Sequence, residues 1–305
     1  MRESNIPSRI TAHVGLLIVA LLYGGNYFLA KIALEEISPR AAVAFRGLVC
    51  MLVFWAYHAF SIKEKIKEKK DVVLLFLSAL FGVVINQQFF LFGLSKTTSI
   101  NAGVLMITAP VFVFLIGFAT KKEKITWYKL LGLLMAFLGA FFLVQMNKGG
   151  KISFSSETLQ GDLSIIFNAI SYAVYLVIVK SLIGKYNTFT ILKWIFIIGG
   201  GINLLIGFPS LIEMEVTAVS WPAWGGLAYL VFGATLVAFF TNAWAMKRLQ
   251  PSAVGVYIFV QPVFVTLVTL LLFSGEVTWQ KGMTILGILI GVYLVSIYQS
   301  RKLSE

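Results

Sequence analysis

INAGVLMITAPVFVFLIGFAT, residues 100–120, and SAVGVYIFVQPVFVTLVTLLL, residues 252–272, decide the fold. Each is an uncharged run long enough to cross a bilayer as a helix, which needs roughly 20 apolar residues. Each carries Pro-Val-Phe-Val at its middle, at Pro110 and Pro262, and the two lie 152 positions apart. At that offset 97–145 aligns with 249–297 without a gap, and 12 of 49 positions are identical. Shared apolar composition explains the Val and Leu matches. It does not explain Gly103 with Gly255, the prolines, Thr126-Trp127 with Thr278-Trp279, Lys129 with Lys281 and Gly139 with Gly291 in one register. Nearer the start, an offset of 149 pairs Tyr23 with Tyr172 and Lys31 with Lys180. The chain therefore reads as two halves, 1–150 and 151–305, with a seam in the polar stretch from about 147 to 161.

Working outward, apolar stretches of similar length fill the rest of the 305 residues: 10–34, 41–60, 72–94, 100–120, 127–146, 163–183, 191–212, 221–246, 253–273 and 282–298. Composition agrees, with 59% apolar and only 12% charged residues, too few charges to cover a soluble surface. The first stretch follows Arg2 and Arg9 like a signal peptide, but its apolar run is too long and no small-residue cleavage site follows Asn26. The net charge of +12 could mark a nucleic-acid binder. Its distribution marks topology instead. With the N-terminus inside, 18 of the 25 Lys and Arg fall in inner segments, including the lysines of 63–70, Lys121, Lys122, Lys124, Lys129, Lys185 and Lys247. Both termini are then cytoplasmic. Five spans per half force the second half to enter from the opposite side, so the expected fold is all-α and integral to the membrane, ten transmembrane helices as two inverted five-helix repeats. Inverted repeats point to one midplane site reached alternately from either side. A duplicated scaffold with no transport role is the competing reading.

The order of motifs resembles one family. Leu21-Leu22-Tyr23-Gly24-Gly25-Asn26-Tyr27 with Lys31 is similar to the opening of the EamA family of the drug/metabolite transporter superfamily, and Pro39 with Ala44-Phe45-Arg46 to its second-helix signature. Phe92-Gly93-Leu94, Thr97-Thr98, Pro110 and Glu123-Lys124-Ile125-Thr126-Trp127 resemble the end of its first repeat, and Pro262 with Gly275-Glu276-Val277-Thr278-Trp279 the end of its second. Tyr23 stands where the family usually has Trp. The resemblance covers nearly the whole chain and implies a carrier of small metabolites, amino acids among them, while relatives that carry sugars or sugar phosphates keep a second substrate class open.

The residues themselves supply candidates. Pro110 and Pro262 each remove a backbone donor and free the carbonyl four residues earlier, those of Met106 and Ile258, so they read as paired hinges beside the site or as packing kinks. Helical spacing gathers Ser164, Asn168, Ser171, Tyr172 and Tyr175 on one face of the sixth span, and Tyr23, Asn26 and Tyr27 on the first. Asn101 and Thr108, Asn86-Gln87-Gln88, Asn242 with Trp244, and Tyr257 with Gln261 add hydrogen-bonding and aromatic groups. A cavity of amides and aromatics suits a small polar solute with a carboxylate; the competing role for any one of them is interhelical glue. Lys31 and Arg46 are intramembrane cations. Helix depth places both at the outer mouth, with Lys180 and Lys193 at the inner one, to attract anionic or zwitterionic solutes.

Every Asp and Glu falls in a loop or at a helix end, which offers no buried carboxylate relay; Glu123 and Glu276 read as helix-terminal ion-pair partners. His13 and His58 read as interfacial. Gly199-Gly200-Gly201 has no strand before it and no Lys-Ser after it, so it reads as a close helix contact rather than a phosphate loop. The single Cys50 and two histidines leave no disulfide or metal set, and no catalytic dyad is present, so neither an enzyme nor a cofactor is expected. The expectation is a multi-pass exporter or exchanger of a small polar metabolite in a bacterial-type inner membrane. Its partners are that substrate and membrane lipid, not nucleic acid; self-association as a homodimer stays open.

Overall fold

The computed structural model describes residues 8–62, 64–146, 155–272 and 278–298. Among these, nine helices are long and apolar enough to cross a membrane: α1 (Arg9–Glu36), α2 (Pro39–Ser61), α3 (Lys69–Lys96), α4 (Ser99–Ala119), α5 (Trp127–Met146), α6 (Leu159–Val179), α7 (Thr188–Ile212), α8 (Trp221–Ala245) and α10 (Trp279–Ser296). The remaining apolar segment, α9, is built of three pieces: Pro251–Gly255, a 3₁₀ turn over Val256–Val260, and Gln261–Leu272. The helices start where short polar residues can satisfy orphan amides. Ser8 accepts from the Thr11 amide at 3.1 Å, Thr98 from Asn101 at 3.0 Å and Asn187 from Phe189 at 3.0 Å. Ser38 and Ser220 cap α2 and α8 just before Pro39 and the Trp221-Pro222 turn, where a missing N–H does no harm.

The two halves repeat one another in three dimensions. α3 widens into a π-helical turn over Leu80–Ile85, and α8 does so over Phe232–Val237, the same 152-residue offset. The Lys31 ammonium donates to the carbonyls of Leu94 and Thr97 at 2.8 and 2.9 Å, at the α3–α4 corner. Lys180 donates to Met246 and Leu249 at 2.5 and 2.8 Å, at the α8–α9 corner. Repeat-related helices cross at two glycine seams. Gly47 of α2 meets Gly200 of α7 so closely that a Cβ on Gly200 would stand 2.7 Å from the Gly47 carbonyl oxygen. Gly132 of α5 likewise lies against Gly291 of α10, and Gly139 against Thr284. Along the first seam Gly207 packs on Arg40 and Phe196 on Phe54, so α2 and α7 run antiparallel.

Several sequence expectations change. Lys31 and Lys180 each clamp carbonyls at a helix corner, which explains why they can sit in the span. Lys193 lies over the Trp194 ring at 4.4 Å. Carboxylates are buried after all, because the first helical turns that hold them are covered by neighbouring corners. Asp71, Glu123 and Asp162 are all buried. Asp162 accepts from Thr97 Oγ1 at 2.5 Å, Thr158 Oγ1 at 2.9 Å and Asn101 Nδ2 at 3.4 Å. Glu123 pairs with Lys129 at 2.6 Å, as its helix-end position implies. Asp71 accepts from Lys185 at 3.0 Å, and that hydrogen bond raises the Lys185 ammonium above the ordinary lysine range. His58 is buried in the last turn of α2, and His13 shares a 2.7 Å hydrogen bond with Tyr257. Gly199 and Gly200 do make close helix contacts, whereas Gly201 faces open space. Glu276, the 147–154 part of the seam, Arg2, Lys63, Lys148, Lys151, Arg301 and Lys302 lie outside the described residues.

Candidate functional site

A cavity lies between the halves, lined by side chains of α1, α2, α3, α4, α6, α8 and α9. The breaks at the two prolines supply part of its wall. α4 tightens to a turn over Ile107 and Thr108, both still right-handed helical in φ and ψ, and resumes as α-helix at Ala109, while α9 narrows to 3₁₀ over Val256–Val260. Met106 and Ile258, the residues whose carbonyls the prolines release, both line the space.

Among the described residues, Arg46 is the only Lys or Arg lining the cavity. It is 4% exposed, and its Nε donates to Thr235 Oγ1 within the α8 π-turn. Thr235 in turn donates to the Leu230 carbonyl at 2.6 Å, which holds its oxygen as an acceptor toward Arg46. Among the described residues no carboxylate pairs with Arg46, and its terminal nitrogens make no hydrogen bond to the protein. Counting turns from Pro39 placed this residue at the outer mouth. The α8 π-turn places Ala234 on the cavity wall and the buried Thr235 hydroxyl within reach of Arg46.

Polar side chains also line the cavity. Asn168 Nδ2 donates to the Asn86 carbonyl at 2.7 Å and Asn86 Nδ2 to the Asn168 carbonyl at 3.4 Å. A carbonyl can only accept, so this fixes the Asn168 amide and leaves its Oδ1 without a partner. Asn26 Oδ1 is likewise buried and unpaired. The repeat-related Tyr23 and Tyr172 meet edge to face, ring centroids 6.5 Å apart, and both hydroxyls accept from Asn242 Nδ2, at 3.3 and 3.2 Å. Tyr27 OH donates to Gln261 Oε1 at 3.1 Å. The space is thus lined by a guanidinium with no carboxylate partner among the described residues, the side chains of Asn26 and Asn168, and the rings of Phe90 and Phe239.

Of the residues singled out by sequence, the cavity gathers Tyr23, Asn26, Tyr27, Arg46, Asn86, Asn168, Tyr172 and Gln261. Tyr175 stands behind Tyr172 with its ring on Gly82, too close for any Cβ there. Lys31 and Asn101 belong to the α3–α4 corner, and Thr108 donates to Leu105 O at 2.6 Å. Trp244 lies beside Gly15 and Tyr257 beside His13. Gln87 is fully buried, and neither amide atom has a partner. Pro110 is buried, and Pro262 lines a neighbouring space. The run Asn86-Gln87-Gln88 splits because successive helical residues point about 100° apart. Asn86 reaches the cavity, while Gln88 donates to Asn203 Oδ1 at 3.2 Å as helix glue. Phe90 and Phe239 also face the cavity; nothing but burial distinguishes them in an apolar sequence.

Ten apolar segments in two repeats, packed around a central cavity, define a multi-pass membrane protein built like a carrier. The chain belongs to the EamA-like transporter family, whose sequence profile matches residues 10–145 and 159–297, one repeat each. It is 26% identical to an uncharacterized transporter of Archaeoglobus fulgidus over 94% of this chain and 98% of that one. It is 24% identical to the uncharacterized inner membrane transporter YicL of Salmonella typhimurium, over 95% and 96%. With the uncharacterized transporter YetK of Bacillus subtilis it shares 24% over 85% and 78%. A crystal structure 19% identical in sequence superposes with a TM-score of 0.74 over 94% of this chain and 99% of that one, a likeness of fold.

Proposed function

We propose that this protein is an alternating-access carrier that exports or exchanges a small polar carboxylate, amino acids foremost, across the inner (plasma) membrane. The observation that carries the reading is Arg46. A buried cation without a carboxylate partner is costly to hold in a bilayer, and this one lines a cavity together with Asn26 and Asn168. A carboxylate would take the guanidinium's free N–H groups in a charge-assisted pair, and an ammonium would donate to Asn26 and Asn168. The broken helices α4 and α9 border the same space as paired hinges at Pro110 and Pro262. The antiparallel crossing of α2 with α7 supports an inverted-repeat arrangement, in which one site serves two sides. Inner-membrane placement is favoured by the basic inner loops and by the inner membrane relative.

Counterflow in proteoliposomes tests the reading without assuming a coupling ion. Vesicles preloaded with unlabelled amino acid and given trace label outside should accumulate label with no ion gradient. A folded protein that accumulates none of a panel of amino acids, other carboxylates, sugars and sugar phosphates would refute transport. Accumulation of sugar phosphates alone would move the assignment to the exchanger class.

A further inference from the structure

Thr235 is fully buried and does not line the cavity, yet its oxygen is the partner of the guanidinium that does. The Thr235 hydroxyl donates to the Leu230 carbonyl at 2.6 Å, five residues back. A threonine in an ordinary α-helix bonds a carbonyl three or four residues back, so the five-residue reach belongs to the π-turn over Phe232–Val237. The hydroxyl proton is spent on a group that can only accept, which leaves the oxygen to accept from Arg46 Nε. A guanidinium carries five N–H groups, one on Nε and four on the terminal nitrogens. With Nε held, the terminal pair remains, and among the described residues it makes no hydrogen bond to the protein.

The other half supplies the comparison. Val83 stands in the first π-turn where Thr235 stands in the second, 152 residues later. Gly199 precedes Gly200 as Arg46 precedes Gly47, and those two glycines meet at the α2–α7 crossing. Val83 accordingly lies against Gly199, its Cβ 2.7 Å from where a Cβ on that glycine would stand. The duplication thus made one contact between a helix and a π-turn twice, apolar in one copy and a guanidinium on a hydroxyl in the other. Because the first π-turn forms with Val83, the hydroxyl of Thr235 is not needed to build the second.

We infer that Thr235 is a positioning residue for the substrate: by holding Nε it orients Arg46 so that a carboxylate is taken end-on, through the two terminal nitrogens. This rests on the carrier reading above, with Arg46 as the anion-binding group.

The experiment measures half-saturation and maximal rate of counterflow in the parent protein, Thr235→Val, Thr235→Ser, Arg46→Gln and the double variant Thr235→Val with Arg46→Gln, each checked by thermal melt. The probe is the labelled amino acid that the parent accumulates most from the panel above. Thr235→Val should raise half-saturation about fivefold or more with the maximal rate and the melt held near the parent's, and Thr235→Ser, which keeps the hydroxyl, should restore it. On top of Arg46→Gln, Thr235→Val should add less than about twofold, since the two residues act as one unit. Should the valine variant fail to fold, Thr235→Ala removes the same hydroxyl and takes its place. A folded hydroxyl-free variant with the parent's half-saturation overturns the inference, as does one whose effect is undiminished in the Arg46→Gln background, because Thr235 would then act on packing alone. If Arg46→Gln itself leaves half-saturation unchanged, or the parent accumulates no amino acid, the carrier reading fails first and takes this inference with it.

Discussion

Replacing Lys129 with Met would strand the Glu123 carboxylate in the corner where the two halves meet. Both side chains of this pair are almost wholly buried, at 3% and 1% exposure, and their contact is 2.6 Å. Glu123 also accepts from the backbone amide of Ser252 at 2.8 Å and from its hydroxyl, so the first repeat is tied to the start of α9 through one carboxylate. Removing one partner of a buried pair costs about 3–5 kcal/mol, since the other charge stays behind without compensation. At about 2.1 cal/mol/K of unfolding entropy per residue, a chain of 305 residues has about 0.64 kcal/mol/K, so the loss lowers Tm by roughly 5–8 °C. The assay is a thermal melt of the detergent-solubilised protein, followed by the fraction remaining monodisperse. Adding Glu123→Gln to Lys129→Met removes the stranded charge while an amide oxygen can still accept from Ser252, and should restore more than half of the lost Tm. A double variant as unstable as the sum of the two single variants would refute the reasoning, because the pair would then be uncoupled.

Gly200→Leu should abolish folded protein in the same melt, because a Cβ alone would overlap the Gly47 carbonyl and no flexible side chain is there to yield; survival near the parent Tm would mean that the α2–α7 seam is looser than described. Lys31→Met frees the carbonyls of Leu94 and Thr97 and should cost about 1–3 kcal/mol of stability, with little change in half-saturation for an anionic solute. A large loss of affinity without loss of stability would restore the entrance role. The raised Lys185 stabilises its ion pair below the ordinary lysine range near about 10.4, and that contribution disappears as pH rises through the folded value. The Tm gap between parent and Lys185→Met should therefore be constant at neutral pH and close in strong alkali.

Apolar periodicity and repetition carried the architecture: an uncharged stretch found twice with Pro-Val-Phe-Val at its centre already implies two related broken helices. Both helices prove to border the cavity, at Met106 and Ile258. Half of the candidate side chains also meet there, since Tyr23 and Tyr172 share a place in the repeat. What could not be read is what lies across from a side chain. Lys31 and Arg46 look alike as intramembrane cations, yet one faces bare carbonyls at a helix corner and the other faces Thr235, displaced by a π-turn that no local propensity announces. Asp162 looks terminal along the chain but is covered by Thr97 and Asn101 from 60 residues or more away. Such pairings are made by tertiary packing, so residue type alone cannot separate a ligand group from a clamp.

The most direct measurement is the half-saturation of amino-acid counterflow in the parent protein and in Arg46→Gln, both verified as folded by melt. A lost charge-assisted hydrogen bond worth about 1.5–3 kcal/mol corresponds to roughly a 10- to 150-fold rise. The account predicts a rise in that range for the carboxylate solute, with the variant still inserted and stable. An Arg46→Gln protein that saturates at the parent concentration would contradict it, because the central cavity would then not hold the solute's anionic group.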